Sequence, residues 1–293
     1  MAALLLTGCG GGADRPPAPS LSPTSQRPPA AATPEPGAPM SPFPGDALAG
    51  TNGVTVVAGA PPVDGTPWFL TIGDSITAGY SRDPDRRGTN SGWPVQLEGT
   101  LARSGRAWRL FDVACSGETT TTYRGRCPQR AAIPFLQSSS QRDVAMAAIS
   151  AHLADLRLIV VDLGSNDLLL AALAATPVTA VAPELQDRLE SIVSELRRVA
   201  PRVPLVLANY YDPFQNSSPT TLGDVMRVNA AVADVARRHG ATVADFFAAI
   251  NTPAGISPDL CVNLDCQHLD PIHPTVAGHA RLAAAAAAAV PAP

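Results

Sequence analysis

Five short, continuous apolar runs separated by helical patterns constrain the fold of this chain more than any other feature of its sequence. The runs lack apolar–polar alternation, which is typical of parallel strands buried on both faces. Helical patterns lie between or after them, at 183–199, 224–239 and about 275–290. The sequence predicts an α/β fold, a three-layer α/β/α sandwich around a flavodoxin-like, doubly wound, parallel five-stranded sheet. The predicted strands are Trp68–Ile72, Trp108–Val113, Leu158–Leu163, Leu205–Ala208 and Ala241–Ala244.

The charged residues exclude several classes of function. All 21 basic residues are Arg, which removes Schiff-base catalysis, kinase chemistry and the phosphate loops that require Lys. The formal net charge is −4, and the main basic cluster is Arg82, Arg86 and Arg87. We therefore expect no nucleic acid as a partner. No run of 18 apolar residues occurs, so no segment is predicted to cross a membrane as a helix.

The first 65 residues differ in composition from the rest of the chain. Fourteen of the 30 prolines lie before position 68, among Ala, Ser, Thr and Gly. Such a segment cannot bury enough apolar surface to offset the entropy lost on ordering. We predict a Pro-rich disordered tether over residues 9–65, followed by one folded domain over residues 66–293. The strand-like run Val54–Val57 either pairs on a sheet edge or leads into the domain.

The first nine residues contain a further motif, a short apolar run that leads to a cysteine. Leu6, Thr7, Gly8 and Cys9 follow a short apolar run and resemble the lipobox of a bacterial lipoprotein. The resemblance implies a signal peptide over residues 1–8, lipidation of Cys9 and export to the cell surface, as an anchored or otherwise secreted protein. The N-terminal anchor would then be the one contact with a membrane. The alternative is a disordered tail with one free cysteine.

Polar motifs follow the predicted strands at the edge where a doubly wound sheet binds its ligands. The segment Gly73–Tyr80 places Ser75 on a predicted strand-to-helix turn, where a helix N-terminus favours developing negative charge. Such a Ser alone also fits a helix N-cap. Gly117 follows the second strand and Asn166 follows the third. Each of them alone also fits an ordinary turn.

The fourth motif lies near the C-terminus. Asp270 precedes His273 by three residues, which is close enough for its carboxylate to reach the imidazole. Pro274 disfavours helical geometry at His273, so we predict that His273 lies on a loop just ahead of the last helix.

Together, and in this order, the four motifs resemble the sequence blocks of the SGNH hydrolases, also called GDSL esterases and lipases. The resemblance implies the fold of that family and an esterase or lipase that hydrolyses carboxylic acyl esters through an acyl-enzyme. Ser75 would be the nucleophile, His273 the base and Asp270 its partner. The backbone N–H groups of Ser75 and Gly117, with the side chain of Asn166, would form the oxyanion hole. No metal or organic cofactor is needed for this chemistry.

The cysteines allow two interpretations. Cys9 aside, four cysteines remain, and export favours two disulfides. Proximity in sequence favours Cys115–Cys127 and Cys261–Cys266, although four cysteines permit three connectivities. The rival interpretation is a zinc site, because Cys261, Cys266, His268 and His273 lie close together in the sequence. The spacing matches the usual paired ligands only loosely, so we expect no metal.

The substrate is open at this level. We expect a small-molecule, lipid or polysaccharide acyl ester as the substrate, and a monomeric protein. The competing hypothesis is a catalytically inactive surface protein that binds cell-wall glycan or lipid on an SGNH scaffold. Such a scaffold is expected to lose a triad or oxyanion residue, and none is missing here. Six aromatic residues fit either a pocket wall or ordinary packing: Tyr80, Trp93, Tyr123, Tyr210, Tyr211 and Phe214.

Overall fold

The structure is a computed structural model of the 293-residue chain. The predicted signal peptide, Cys9 and most of the predicted tether lie outside the residues that it describes. It describes residues 48–49, 55–56, 62–83, 85, 91–128, 136, 138–218, 220–268 and 270–292.

Strands and helices alternate through most of the described chain. The strands are β1 (Leu48–Ala49), β2 (Thr55–Val56), β3 (Trp68–Gly73), β4 (Arg109–Asp112), β5 (Leu156–Asp162), β6 (Leu205–Ala208), β7 (Thr242–Ala244), β8 (Leu264–Asp265) and β9 (Asp270–Pro274). The helices are α1 (Trp93–Arg103), α2 (Gln141–His152), α3 (Ser165–Leu173), α4 (Val178–Val199), α5 (Thr221–Arg238), α6 (Phe246–Ile250), α7 (Leu260–Asn263) and α8 (Val276–Ala289).

The main sheet of the described chain has five parallel strands in the order β4-β3-β5-β6-β7. This is the predicted doubly wound order, in which the first strand lies between the second and the third. The fold class is therefore confirmed. The strand order reverses between β3 and β5, because the chain continues from β3 to one edge of the sheet and from β5 to the other. In sheets of this kind, ligands bind beyond the carboxyl ends of the strands at the point of reversal.

Successive residues of each strand pack against opposite layers of helices. In β3, Trp68, Leu70 and Ile72 join the hydrophobic cluster formed with α2, α4 and α5. Phe69 joins the second cluster, with α1, α6 and α8. Because both faces of the sheet are covered, its strands are apolar without alternation.

Two parts of the chain differ from expectation. Thr55–Val56, within the strand-like run, pairs antiparallel with Leu48–Ala49 and lies outside the main sheet. His273 lies in the short strand β9, which pairs with β8, whereas the sequence predicted a loop. The prediction took account of Pro274 but had no means of detecting the partner strand.

Among the described helices, none combines the length and the apolar character that crossing a bilayer requires.

Candidate active site

Ser75, His273 and Asp270 form one hydrogen-bonded chain. His273 Nε2 lies 2.9 Å from Ser75 Oγ, and His273 Nδ1 lies 2.7 Å from Asp270 Oδ1. Ser75 and His273 are partly exposed, whereas Asp270 is buried. Ser75 and His273 come from sequence positions 198 residues apart.

An irregular pairing of β8 with β9 brings Asp270 and His273 together. Leu264 and Asp265 are consecutive in β8, but they pair with Pro274 and Asp270 of β9. The three residues between those partners, which include His273, bulge out of the ladder. A bulge re-aims side chains, and here it lets Asp270 and His273 meet although they are three residues apart in a strand.

The pKa of Asp270 is set by opposing effects. Burial acts to raise the pKa of this carboxyl, but the hydrogen bond and charge of His273 and the charge of Arg82 lower it below its usual 3.8. Arg82 Nε lies 3.9 Å from Asp270 Oδ2. Asp270 is therefore a carboxylate at neutral pH, as a partner for an imidazolium must be.

Ser75 lies on a turn and not at the start of a helix. Residues 75–79 form consecutive turns, closed by bonds from Ala78 N to Asp74 O (2.9 Å) and from Tyr80 N to Ser75 O (2.9 Å). Gly79, at φ 69°, ends them after one turn. The prediction of a strand-to-helix turn at Ser75 is thus wrong, and no helix N-terminus stabilises negative charge beside this residue. The buried Asp74 holds the start of the turn by accepting a bond from Ile76 N.

Gly117 lies on a loop braced by a disulfide. Cys115 and Cys127 are bonded, with their Cα atoms 5.9 Å apart, which confirms the favoured pairing. Gly117 has φ 81°, a left-handed conformation that favours glycine. A Cβ atom at Gly117 would lie 3.4 Å from Pro128, the residue after Cys127. The disulfide therefore positions both sides of the loop that carries this predicted oxyanion donor.

Asn166 is held at the start of α3 by two acceptors. Its Nδ2 donates to the Glu118 carbonyl at 2.9 Å and to Asp74 Oδ2 at 3.3 Å. Asp74 also accepts a bond from the Ser165 hydroxyl. Ser75, Gly117, Asn166 and His273 all line one cavity of about 360 Å³. The three predicted oxyanion donors, Ser75 among them, and the predicted base His273 thus face the same space.

We expect the Asn166→Ala variant to lose about 10²- to 10³-fold in kcat, the usual effect of removing one oxyanion donor. KM for a small ester should change little, because the donor acts mainly on the charged transition state. Steady-state kinetics with a p-nitrophenyl ester tests this. An unchanged kcat in a folded variant would exclude Asn166 as a donor.

A sequence model of the GDSL-like Lipase/Acylhydrolase family matches residues 71–281, which contain every motif of this site. The chain belongs to this family. Membership indicates a hydrolase that acts on esters.

Solved structures share the fold of this GDSL-like hydrolase. An acetylxylan esterase from Geobacillus stearothermophilus is 20% identical, with a TM-score of 0.52 over 78% of this chain and 96% of that one. An alpha/beta hydrolase enzyme from the metagenome of Lake Arreo, Spain, is 22% identical, with a TM-score of 0.53 over 79% and 98%. A comparison with curated proteins finds no significant match.

Sequence reasoning missed a second histidine–aspartate pair in this GDSL-like hydrolase. His268 Nδ1 lies 2.6 Å from Asp265 Oδ1, at the same spacing as Asp270 and His273. The hydrogen bond that His268 donates to Asp265 raises the pKa of His268. The family motif, and not the spacing, distinguishes the pair that faces Ser75.

The cysteines of the rival zinc interpretation are bonded to each other. Cys261 and Cys266 form a disulfide, with their Cα atoms 5.3 Å apart. Neither sulfur is a free thiolate, which zinc ligation by Cys requires. The second predicted disulfide is therefore confirmed.

The aromatic candidates divide into two groups. Trp93 and Tyr123 are fully buried in the two hydrophobic clusters. The other four line the cavity: Tyr80, Tyr210, Tyr211 and Phe214. The Tyr80 ring lies against the His273 imidazole, with centroids 4.5 Å apart. It limits the orientations that the imidazole can adopt.

Buried polar groups behind Ser75 were also missed. The Gln141 side chain accepts from Gly73 N (3.0 Å) and donates to Gly73 O (2.8 Å), which fixes the residue two before Ser75. Each of β4 and β5 ends in a buried carboxyl, Asp112 and Asp162. Gln141 lies 68 residues from Gly73, so no local pattern in the sequence reveals this contact.

Burial raises the pKa of Asp112 to about 7, against hydrogen bonds from Thr71 and Ala114 N that lower it. Burial also raises the pKa values of Asp74 and Asp162. The negative charge of a neighbouring carboxyl adds to this rise, that of Asp162 for Asp74 and that of Asp112 for Asp162. These groups are protonated more readily in the folded chain than in the unfolded one. The contribution of Asp112 to stability is therefore full below pH 3.8 and is lost as the pH rises from there through about 7.

We therefore expect the melting temperature to fall by at least about 5 °C between pH 5 and pH 8, which is as much as Asp112 alone accounts for. In the Asp112→Asn variant the fall should be smaller, since Asn is neutral at both pH values. Its Oδ1 can keep the bonds from Thr71 Oγ1 (2.7 Å) and Ala114 N (3.0 Å). Calorimetry at several pH values measures both, and equal slopes for the two proteins would contradict the assignment.

Proposed function

We propose that this protein is an exported serine esterase that hydrolyses carboxylic acyl esters through Ser75, His273 and Asp270. The observation that carries the proposal is the hydrogen-bonded chain from Ser75 Oγ through His273 to Asp270. Family membership supports ester hydrolysis in general, and this geometry supports a serine nucleophile in particular.

In the first half-reaction, Ser75 Oγ attacks the ester carbonyl carbon while His273 Nε2 takes its proton. The carbonyl oxygen becomes an oxyanion, which accepts bonds from the N–H groups of Ser75 and Gly117 and from the Asn166 amide. The oxyanion takes the place of Asp74 as an acceptor for the Asn166 amide, whose bond to Asp74 is the longer of its two at 3.3 Å. Asp270 stabilises the imidazolium.

The tetrahedral intermediate then collapses. His273 returns its proton to the alkoxide oxygen, and the alcohol leaves an acyl group on Ser75 Oγ. Water attacks the acyl carbon while His273 accepts one of its protons. When the second tetrahedral intermediate collapses, His273 returns this proton to Ser75 Oγ and the carboxylic acid leaves.

Covalent labelling tests the nucleophile independently of any substrate. Phenylmethanesulfonyl fluoride should sulfonylate Ser75 with loss of fluoride, and peptide mass spectrometry should find the adduct on Ser75. Esterase activity should fall in step with labelling. An adduct confined to other serines would contradict the proposal. A folded protein with neither labelling nor turnover would favour a binding protein on an inactive scaffold.

Export is supported by the two disulfides, because disulfides persist in oxidising compartments. With the lipobox-like Leu6–Cys9, we propose that residues 1–8 are removed and that Cys9 carries the lipid. Residues 9–65 then tether the domain. Mass spectrometry of the membrane fraction checks this, and an unmodified Cys9 in the mature chain would exclude the anchor.

A further inference from the structure

We propose that the cavity beside Ser75 binds the acyl chain of a medium-chain ester rather than an acetyl group. The inference rests on the proposed function, since the acyl chain is attached to the carbon that Ser75 attacks. The substrate class of the enzyme is then the fatty acyl ester, and the residues that select the acyl chain lie on α3, α4 and α5.

The reach of the cavity exceeds what an acetyl group can fill. Its lining extends from Ser75, after β3, to Phe214, after β6, and Val225 on α5. Because β5 lies between β3 and β6, two strand spacings, about 10 Å, separate these ends. An acetyl group extends one C–C bond, about 1.5 Å, past its carbonyl carbon. A zigzag chain of about eight carbons crosses the distance.

The wall of the cavity on α3 and α4 is apolar. Leu168, Leu169 and Ala172 on α3 and Val178 on α4 line it. They belong to a stretch without any charged residue, 168–183, which begins two residues after Asn166. A hydrocarbon chain removes this surface from water, whereas a sugar finds few partners on it.

Most polar groups deeper in the lining are already bonded within the protein. Hydroxyl groups of Tyr210 and Tyr211 donate to main-chain carbonyls. Asp212 accepts a bond from the Thr221 hydroxyl at 2.7 Å. Asp224, in the first turn of α5, is partly exposed. A glycan would have to compete for most of these groups, which favours a hydrocarbon occupant.

The polar side of the site suits the leaving alcohol. His273 must return a proton to the alcohol oxygen, so that oxygen lies next to the imidazole. Tyr80 covers this ring, and Arg82, whose side chain is 56% exposed, lies beside Asp270. The alcohol therefore leaves past polar, solvent-exposed groups, and the acyl chain occupies the apolar wall on α3, α4 and α5.

Kinetics with p-nitrophenyl esters of 2, 4, 8 and 16 carbons tests the inference on the full chain. We expect kcat/KM to rise at least tenfold from acetate to octanoate, since each buried methylene strengthens binding severalfold. It should fall for palmitate, whose chain exceeds the cavity. Methyl octanoate should also be a better substrate than octyl acetate, because the chain must belong to the acyl half.

Cavity-filling variants identify the wall. Ala172→Phe and Val178→Phe should each lower the octanoate-to-acetate ratio of kcat/KM about tenfold. The matched control is Ala180→Phe, which adds the same ring to an exposed position of α4 and should leave the ratio unchanged. Two filling variants are used so that misfolding of one leaves the other as a test.

The outcomes separate the two proposals. If Ser75-dependent hydrolysis is fastest with acetate or acetylated xylan, the serine esterase stands and the acyl-chain inference fails. Faster cleavage of octyl acetate than of methyl octanoate overturns the inference in the same way. If no ester is hydrolysed in a Ser75-dependent manner, the proposed function itself fails.

Discussion

Replacement of Ser75 by Ala is expected to lower kcat for ester hydrolysis by about 10⁴- to 10⁶-fold, the range found when a triad nucleophile is removed. Without Oγ no acyl-enzyme forms, and His273 has no hydroxyl to deprotonate. The oxyanion donors remain, so a trace of activity above the uncatalysed rate is expected. Steady-state assays with p-nitrophenyl esters at high enzyme concentration measure the loss.

A matched serine controls for the effect of the substitution itself. Ser104, at the exposed end of α1, donates its hydroxyl to the Leu101 carbonyl at 2.8 Å. The Ser104→Ala variant should retain full activity. The Ser75→Ala protein should melt within a few degrees of the original, because Ser75 is partly exposed on a turn. Activity that survives in the Ser75→Ala protein would assign the reaction to another nucleophile.

The Asp270→Asn variant should lose about 10³- to 10⁴-fold in kcat, as removal of the aspartate charge does in other triads. The amide preserves the size of the buried side chain but removes the charge that stabilises the His273 imidazolium. Its amide N–H can also donate a hydrogen bond to Nδ1, which favours the wrong tautomer. Kinetics at several pH values around neutrality measures the loss.

Asp265 supplies the control for this variant within the same segment. Asp265 and His268 repeat the spacing and the hydrogen bond of the candidate pair. The Asp265→Asn variant should keep kcat within about threefold, since electrostatic support acts on the imidazole that it touches. If both variants lose activity equally, the loss reflects damage to β8 and β9 rather than the charge of Asp270.

The sheet could be predicted from sequence because its strands are buried on both faces. The run Leu205–Ala208 coincides with β6, and the helical pattern at 224–239 falls on α5, which ends at Arg238. Continuous burial produces continuous apolar runs, and such runs can be recognised within a short window of sequence. The strand pair β8–β9 could not be predicted, because it depends on pairing between two short polar segments.

The candidate site was predictable to the extent that its residues lie in local motifs. Ser75, Gly117, Asn166 and His273, each found beside a predicted strand or helix, line one cavity. What supports them comes from distant positions, such as Gln141 on Gly73. Such contacts leave no periodicity or spacing in the sequence, so they require the tertiary structure.

The distance along the chain between Ser75 and His273 bears on how the protein is made. Domains begin to fold while the ribosome is still adding residues. A growing chain that has completed α3 already holds Ser75, Gly117 and Asn166, but it has no base. The helix that follows His273, α8, packs against α1 in one hydrophobic cluster. Under the proposed mechanism, no molecule can be active before β9 has been synthesised, and chains cut short by a premature stop codon before β9 should be inactive even where they fold.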